Sequence, residues 1–297
     1  MTGQLLEKVD LGLQLLFIAA TTMVLLAKFN TGLSGFLKYG KTLSSGVQVR
    51  QQSHDGRFVE EAPFGFIVRM TLDLKVPKFW FFHFYLLSLV LSTVGFIITH
   101  TRLRTKDTTH PFTLPDIQNV GTIPLEISRL AFFLIIGHSS RRFFETLLIF
   151  KYNRTSKMNI THYLVGIFFY TAINLQLFLN TDFKVTQKAK PDIVLFLSLL
   201  LFLVASTDQF LNHAHLSGIK KYRIPRYGLF QRIVCAHYLD EIFIYLAVFG
   251  VLRTRTSFLA LVFVIVNLSI SAIETRNYYK LREEGKVPKW SIIPFFI

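Results

Sequence analysis

Between Leu130 and Phe150 an apolar run carries the block Gly137-His-Ser-Ser-Arg-Arg-Phe-Phe-Glu-Thr-Leu-Leu148. At helical spacing His138, Arg141, Arg142 and Glu145 recur at i, i+3, i+4 and i+7, so all four share one side. A charged side chain near a bilayer centre costs about 2.5–3.5 kcal/mol even on a lenient insertion scale. Two guanidiniums and a carboxylate at that depth therefore require charged partners or a wet cavity. Two structures meet that demand. One is an Arg–Glu clip between helices, and the other is a polar pocket that binds an anion and moves protons.

The rest of the chain supplies the membrane. Of 297 residues 51% are hydrophobic and 31 are Phe, more apolar bulk than a soluble domain of this size carries. Runs long enough to cross as helices stand at about 11–27, 79–99, 130–150, 162–179, 191–212, 237–252 and 257–273. The expected fold is all-α and polytopic, with about seven transmembrane helices in one membrane domain, 1–297. The first apolar run follows Lys8 and Asp10 and has no small-residue cleavage site, so it reads as a span and not a signal peptide. Residues 1–75 hold that span and a long loop whose stretch 62–70 suits the interface, and 76–297 hold the rest. The single cysteine, Cys235, excludes an intrachain disulfide and a CxxC site.

With seven spans, the loops on one side carry roughly twice the Lys and Arg of the other, which places the C-terminus in the cytosol. Two sequons, at Asn153 and Asn159, then fall on the cytosolic side and are expected to stay unmodified, despite the motif. The polar ends of several spans share that side: the His138 block, Asp208 to His215, His237 with Asp240 and Glu241, and Arg276 with Tyr279. Clusters this far apart in sequence and alike in depth imply one pocket opening to the cytosol. Its edge interleaves Lys220, Lys221, Arg223 and Arg226 with Tyr222 and Tyr227, which suits a phosphate-bearing ligand with flat rings. The bland alternative for this loop is contact with anionic lipid. Neither GxGxxG nor GxxxxGK[ST] is present. His213 and His215 diverge on a helix and no HExxH occurs, so no metal is expected. His83 reads first as an interhelical hydrogen bonder, whereas His138 and His237 each have a carboxylate on the same face, Glu145 and Glu241.

HSSRRFFE, MNITHYLVGIFFY, YRIPRYGLFQRIVCAHYLDEIFIY and the ending NYYKLREEGKVPKWSIIPFFI resemble the steroid 5-alpha-reductase family. The His-x-x-Arg-Arg-x-x-Glu form, with VPKFWFFHFY before it, looks like its polyprenal reductase branch. The match runs from about Val76 to Ile297. It implies a seven-helix, multi-pass reductase of the endoplasmic reticulum membrane, with its cofactor site and C-terminus cytosolic. It implies NADPH as cofactor and a long-chain polyprenal from the lipid phase as substrate. The α-isoprene double bond would be reduced to give dolichal, on the route to dolichol for protein N-glycosylation. Membrane lipids would be the other partners, with no nucleic acid. His138 stands where steroid-reducing relatives carry a tyrosine donor, with Glu145 and Arg141 orienting it and His83 near a second carbonyl contact. The family pattern assigns cofactor binding to Gln209, His213, Lys220, Tyr222, His237, Glu241 and Tyr279, with Arg276 beside them. Alternatives are a 3-oxo-steroid or enoyl-lipid reductase and, in another class, a non-catalytic lipid-binding or transport protein. Neither two related halves nor polar groups through the full membrane depth are visible to favour the last.

Overall fold

The computed structural model describes residues 2–30, 71, 73–105, 121–152, 156–219, 223–282 and 286–294. Among these, seven long helices dominate: α1 (Thr2–Phe29), α2 (Phe81–Thr105), α3 (Leu125–Phe144), α4 (Ile160–Leu179), α5 (Ile193–Gly218), α6 (Ala236–Leu252) and α7 (Arg255–Leu281). Five of them, α1, α2, α4, α5 and α7, are long and apolar enough to cross a membrane. The other two are α3, which carries Glu126, Arg129, Arg141 and Arg142, and the 17-residue α6. Both pack among the five: α3 lies along α2, and α6 along α5 and α7. The architecture is all-α and polytopic.

Several helices run past the apolar stretch that announces them. The fifth continues to Gly218 and the seventh to Leu281, beyond the expected ends near 212 and 273. A charge marks where lipid ends, and the helical hydrogen-bond ladder continues into the polar border. Helix α3 departs the other way. It gives way at Glu145 to a π-helical turn, Glu145–Ile149, where Phe150 N–H reaches the Glu145 carbonyl at 2.9 Å. The expected loop 253–255 is a two-residue joint. Arg253 adopts a left-handed φ of 53° to end α6, and Thr254 opens α7 with a capping box to Ser257.

The helices alternate in direction, so the bundle has two distinct ends. At one end β1 (Lys75–Pro77) pairs antiparallel with β2 (Lys157–Asn159), tying the starts of α2 and α4 together. Asn159, of the second sequon, is 1% exposed and caps α4 by accepting from Thr161 N–H at 2.8 Å. At the opposite end Asp10 of α1 accepts from Asn180 and from Thr256, both at 2.9 Å. There too Arg253 and the Leu195 N–H grip Asp192, the N-cap of α5, and hold its carboxyl down at about 2. Between these ends the core is aromatic: Phe17, Phe169 and Phe263 meet with centroids 5.8–6.3 Å apart and join α1, α4 and α7.

Lipid tails are as apolar as Leu, so close approach and polar contacts hold such helices together. Ser139 of α3 donates to Ser88 of α2 at 2.8 Å, and Asn174 of α4 joins them at 3.2 Å. The tightest approach involves the link before α3. Ile123 N–H donates to the Asn180 carbonyl at the end of α4 and its own carbonyl accepts from Asp182 N–H, both at 2.9 Å, which brings Gly121 onto the Asn180 carbonyl. A Cβ at 121 would lie 2.0 Å from that oxygen, which is backbone and cannot swing aside. Gly121→Ala is expected to destabilise by about 1–3 kcal/mol, through strain of the overpacking kind. The check is apparent melting in detergent, and an unchanged midpoint would show that the link can relax.

Candidate active site

The charged block of α3 meets α5 and α6 at the end of the bundle that carries β1 and β2. Arg141 Nη1 donates to Glu145 Oε1 at 2.6 Å, and its Nη2 donates to Gln209 Oε1 of α5, also at 2.6 Å. Arg142 reaches the other Glu145 oxygen and donates to Tyr85 Oη of α2 at 2.9 Å. His213 of α5 places Nδ1 2.7 Å from both Glu145 Oε2 and Arg142 Nη1. Gln209 then passes the chain to α6, donating to Glu241 Oε2 at 2.5 Å and to the His237 carbonyl at 3.1 Å. Two guanidiniums and one carboxylate from α3 and its π-turn thus meet a second carboxylate from α6, with Gln209 and His213 of α5 between them. Glu145 is 1% exposed, a depth at which an unpaired charge is not tolerated.

His138 stands at the inner edge of this network, 5% exposed. Its Nδ1 lies 3.3 Å from Arg141 Nη2. A guanidinium can only donate, so Nδ1 accepts and the ring proton sits on Nε2. That Nε2 is buried without a hydrogen-bond partner, with Glu241 Oε1 nearest among carboxylates at 3.6 Å. The His138 side chain is one wall of a narrow internal cavity. Ser88, Tyr170, Phe202, Tyr245 and Val248 are among the other walls, and the Tyr245 ring stands edge-on to the imidazole at 6.0 Å. The result is an N–H donor held at the edge of a largely apolar chamber. Such a group stabilises negative charge developing on a substrate oxygen more strongly than water does.

The expected site residues separate into three sets. His138, Arg141, Glu145, Gln209, His213 and Glu241 share the network. His237 adjoins it through its carbonyl and through its ring, 5.6 Å from that of His213. Tyr279 and Arg276 of α7 hold the border around it: Tyr279 Oη donates to the Arg223 carbonyl at 3.3 Å, and Arg276 Nε donates to Pro288 O at 3.2 Å. The tail is stitched there as well, Val234 and Cys235 N–H reaching the carbonyls of Trp290 and Ser291. His83 turns the other way, with Nδ1 3.1 Å from Tyr163 Oη of α4 and Trp80 beside it. Lys220 and Tyr222 lie outside the described residues.

Tyr85 belongs to the network although nothing marks it out among the aromatics of FFHFY. Its offset from His83 is the readable signal, because two residues on a helix point nearly opposite ways. Asp240 also adjoins the site, accepting from Asn212 Nδ2 at 2.7 Å and tightening the α5–α6 contact.

A family model described as 3-oxo-5-alpha-steroid 4-dehydrogenase matches residues 156–297, from just before β2 through the tail. The chain is 33% identical over 295 residues to a polyprenal reductase of Saccharomyces cerevisiae, covering 99% of this chain and 98% of that protein. It is 27% identical over 258 residues to a polyprenal reductase of Caenorhabditis elegans, covering 75% and 80%. It is also similar to polyprenal reductase 1 of Oryza sativa subsp. indica, 27% identical over 329 residues, covering 89% and 87%.

Proposed function

Because this chain belongs to the steroid 5-alpha-reductase family, we propose that it is a polyprenal reductase that reduces the α-isoprene double bond of a long-chain polyprenal with NADPH, giving dolichal. The observation that carries the reading is the His138 Nε2–H, buried and unpartnered at an apolar cavity. When bound, the nicotinamide cofactor supplies a hydride to the β carbon of the enal. His138 Nε2–H donates to the aldehyde oxygen and stabilises the enolate as charge moves onto it. A proton taken up at the α carbon then restores the carbonyl. Arg141 fixes the tautomer by occupying Nδ1, and Glu145 fixes Arg141. Tyr245 and the apolar walls exclude water from the developing charge.

The residues present suit a nicotinamide cofactor. Glu241 uses one oxygen on Gln209 and turns the other toward His138, and a carboxylate has about four lone-pair sites. It can accept from a carboxamide N–H while keeping both neighbours. Tyr279 and Arg276, at the border of the network, would face the cofactor's phosphates. We place the enzyme in the endoplasmic reticulum membrane with this border cytosolic, following the basic-residue bias of its loops.

The test is NADPH oxidation by the purified protein in detergent. Oxidation that depends on polyprenal is the expected result. Oxidation with a 3-oxo-4-ene steroid alone would shift the assignment to a steroid reductase, and none with either would leave a lipid-binding protein.

A further inference from the structure

The catalytic donor is buried, so a lipid-borne aldehyde needs a route to it. Helices α3 and α5 show where one exists. Helix α5 packs against the π-turn Glu145–Ile149 but makes little backbone contact with the body of α3. The two are bridged at the polar end by Arg141–Gln209 and Glu145–His213. Below that bridge, toward the start of each helix, the pair is held by no comparable link among the described residues.

The α3 edge of this gap is bare. Gly137 lies one turn before Arg141 on the same stripe, and is exposed, with nothing within 4 Å of where a Cβ would stand. Phe133, one turn further, is 60% exposed. On the α5 edge Ser206 falls one turn before Gln209, and its Oγ has no hydrogen-bond partner. Leu203 follows at 63% exposure, and Phe202 beside it lines the cavity that His138 borders. Exposed apolar side chains on both helices thus flank a gap behind which Phe202 of α5 and His138 of α3 wall the cavity.

We propose that the isoprenoid chain of the substrate lies in the gap between α3 and α5 and crosses the bare backbone of Gly137, so that the aldehyde enters the cavity sideways from the bilayer. This rests on the reductase reading above. A glycine in mid-helix is about 1 kcal/mol less favourable than alanine, so the open position is kept against the helix's own preference. A polyisoprenoid is the fitting occupant because Phe133 and Leu203 are apolar and exposed on the two helices that also wall the cavity.

The test is Gly137→Leu, with Gly137→Ala as the graded companion. A Cβ at 137 meets nothing within 4 Å, and both substitutions raise helix propensity, so an unchanged apparent melting is expected and is measured alongside. For Gly137→Leu, kcat/KM with a long-chain polyprenal is expected to fall by about tenfold or more. With a ten-carbon α,β-unsaturated aldehyde, which has almost no tail to thread, the change should stay within about twofold, and NADPH affinity should not move. Gly137→Ala should fall between the variant and the parent for the long substrate alone. Equal losses for both aldehydes, or no loss for either, would overturn the route. If the parent protein oxidises NADPH with neither aldehyde, the reductase reading fails instead, which is a separate outcome.

Discussion

Replacing His138 by Ala is expected to lower kcat for polyprenal reduction by about 10²–10³-fold while the dissociation constant for NADPH changes by less than about twofold. The magnitude is that of removing one preorganised donor from an oxyanion site. The direction follows from the tautomer. Arg141 occupies Nδ1, so the only ring proton is on Nε2, where no protein acceptor satisfies it. A donor left without a partner in the resting protein is available for an oxygen that acquires charge only during the reaction, which is the condition for raising kcat and not merely binding. Stopped-flow single turnover and a fluorescence titration with NADPH read the two quantities separately. A collapse of NADPH affinity with kcat/KM falling in parallel would make His138 a cofactor residue and return the donor role to another group.

How much of this was readable beforehand differs by residue. The helical architecture follows from apolar length: all seven apolar runs fall on helices, five of them long and apolar enough to cross a membrane, and several helices extend past the expected ends. The side of α3 that carries His138, Arg141, Arg142 and Glu145 follows from helical spacing. What spacing could not supply is the partner. Counted along the sequence, the block holds two guanidiniums and one carboxylate, an imbalance at membrane depth. The balance comes from Glu241, roughly a hundred residues away, by way of Gln209. No local signal encodes that pairing, because it depends on how α5 and α6 pack against α3. Gln209 itself was picked out by family pattern and not by chemistry. His83 shows the same limit from the other side. Its presence in a span was legible, but its direction depends on which neighbours α2 has, and these place it against Tyr163 while Tyr85 takes the side facing Arg142. The π-turn at Glu145 left no sequence mark. It lies where Glu145 answers Arg141, Arg142 and His213 at once.

Glu145→Leu is the substitution expected to damage the fold most. Glu145 is 1% exposed and its two oxygens serve three donors on two helices. Removing it strands two guanidiniums that are themselves largely covered, Arg141 at 18% and Arg142 at 12% side-chain exposure. Breaking a buried ion pair from one side destabilises by about 3–5 kcal/mol, because the surviving charge keeps its desolvation penalty and loses its compensation. For a protein of this size that corresponds to an apparent Tm lower by on the order of 10 °C. Glu145→Gln keeps the acceptor and the shape but not the charge, so it should fall between. The double variant Arg142→Met with Glu145→Leu separates charge from packing. If stranded charge is the cause, removing the second partner restores part of the lost stability even though it deletes more contacts. If the double variant is as unstable as the sum of the singles, the network holds α3 to α5 through shape and hydrogen bonding, and the charge balance is not what fixes the site. A Glu145→Leu protein that melts within about 1 kcal/mol of the parent would go further, since that is the size of an ordinary surface ion pair. It would mean that water reaches Arg141 and Arg142 freely, and that the His138 donor operates in a wetter site than its burial describes.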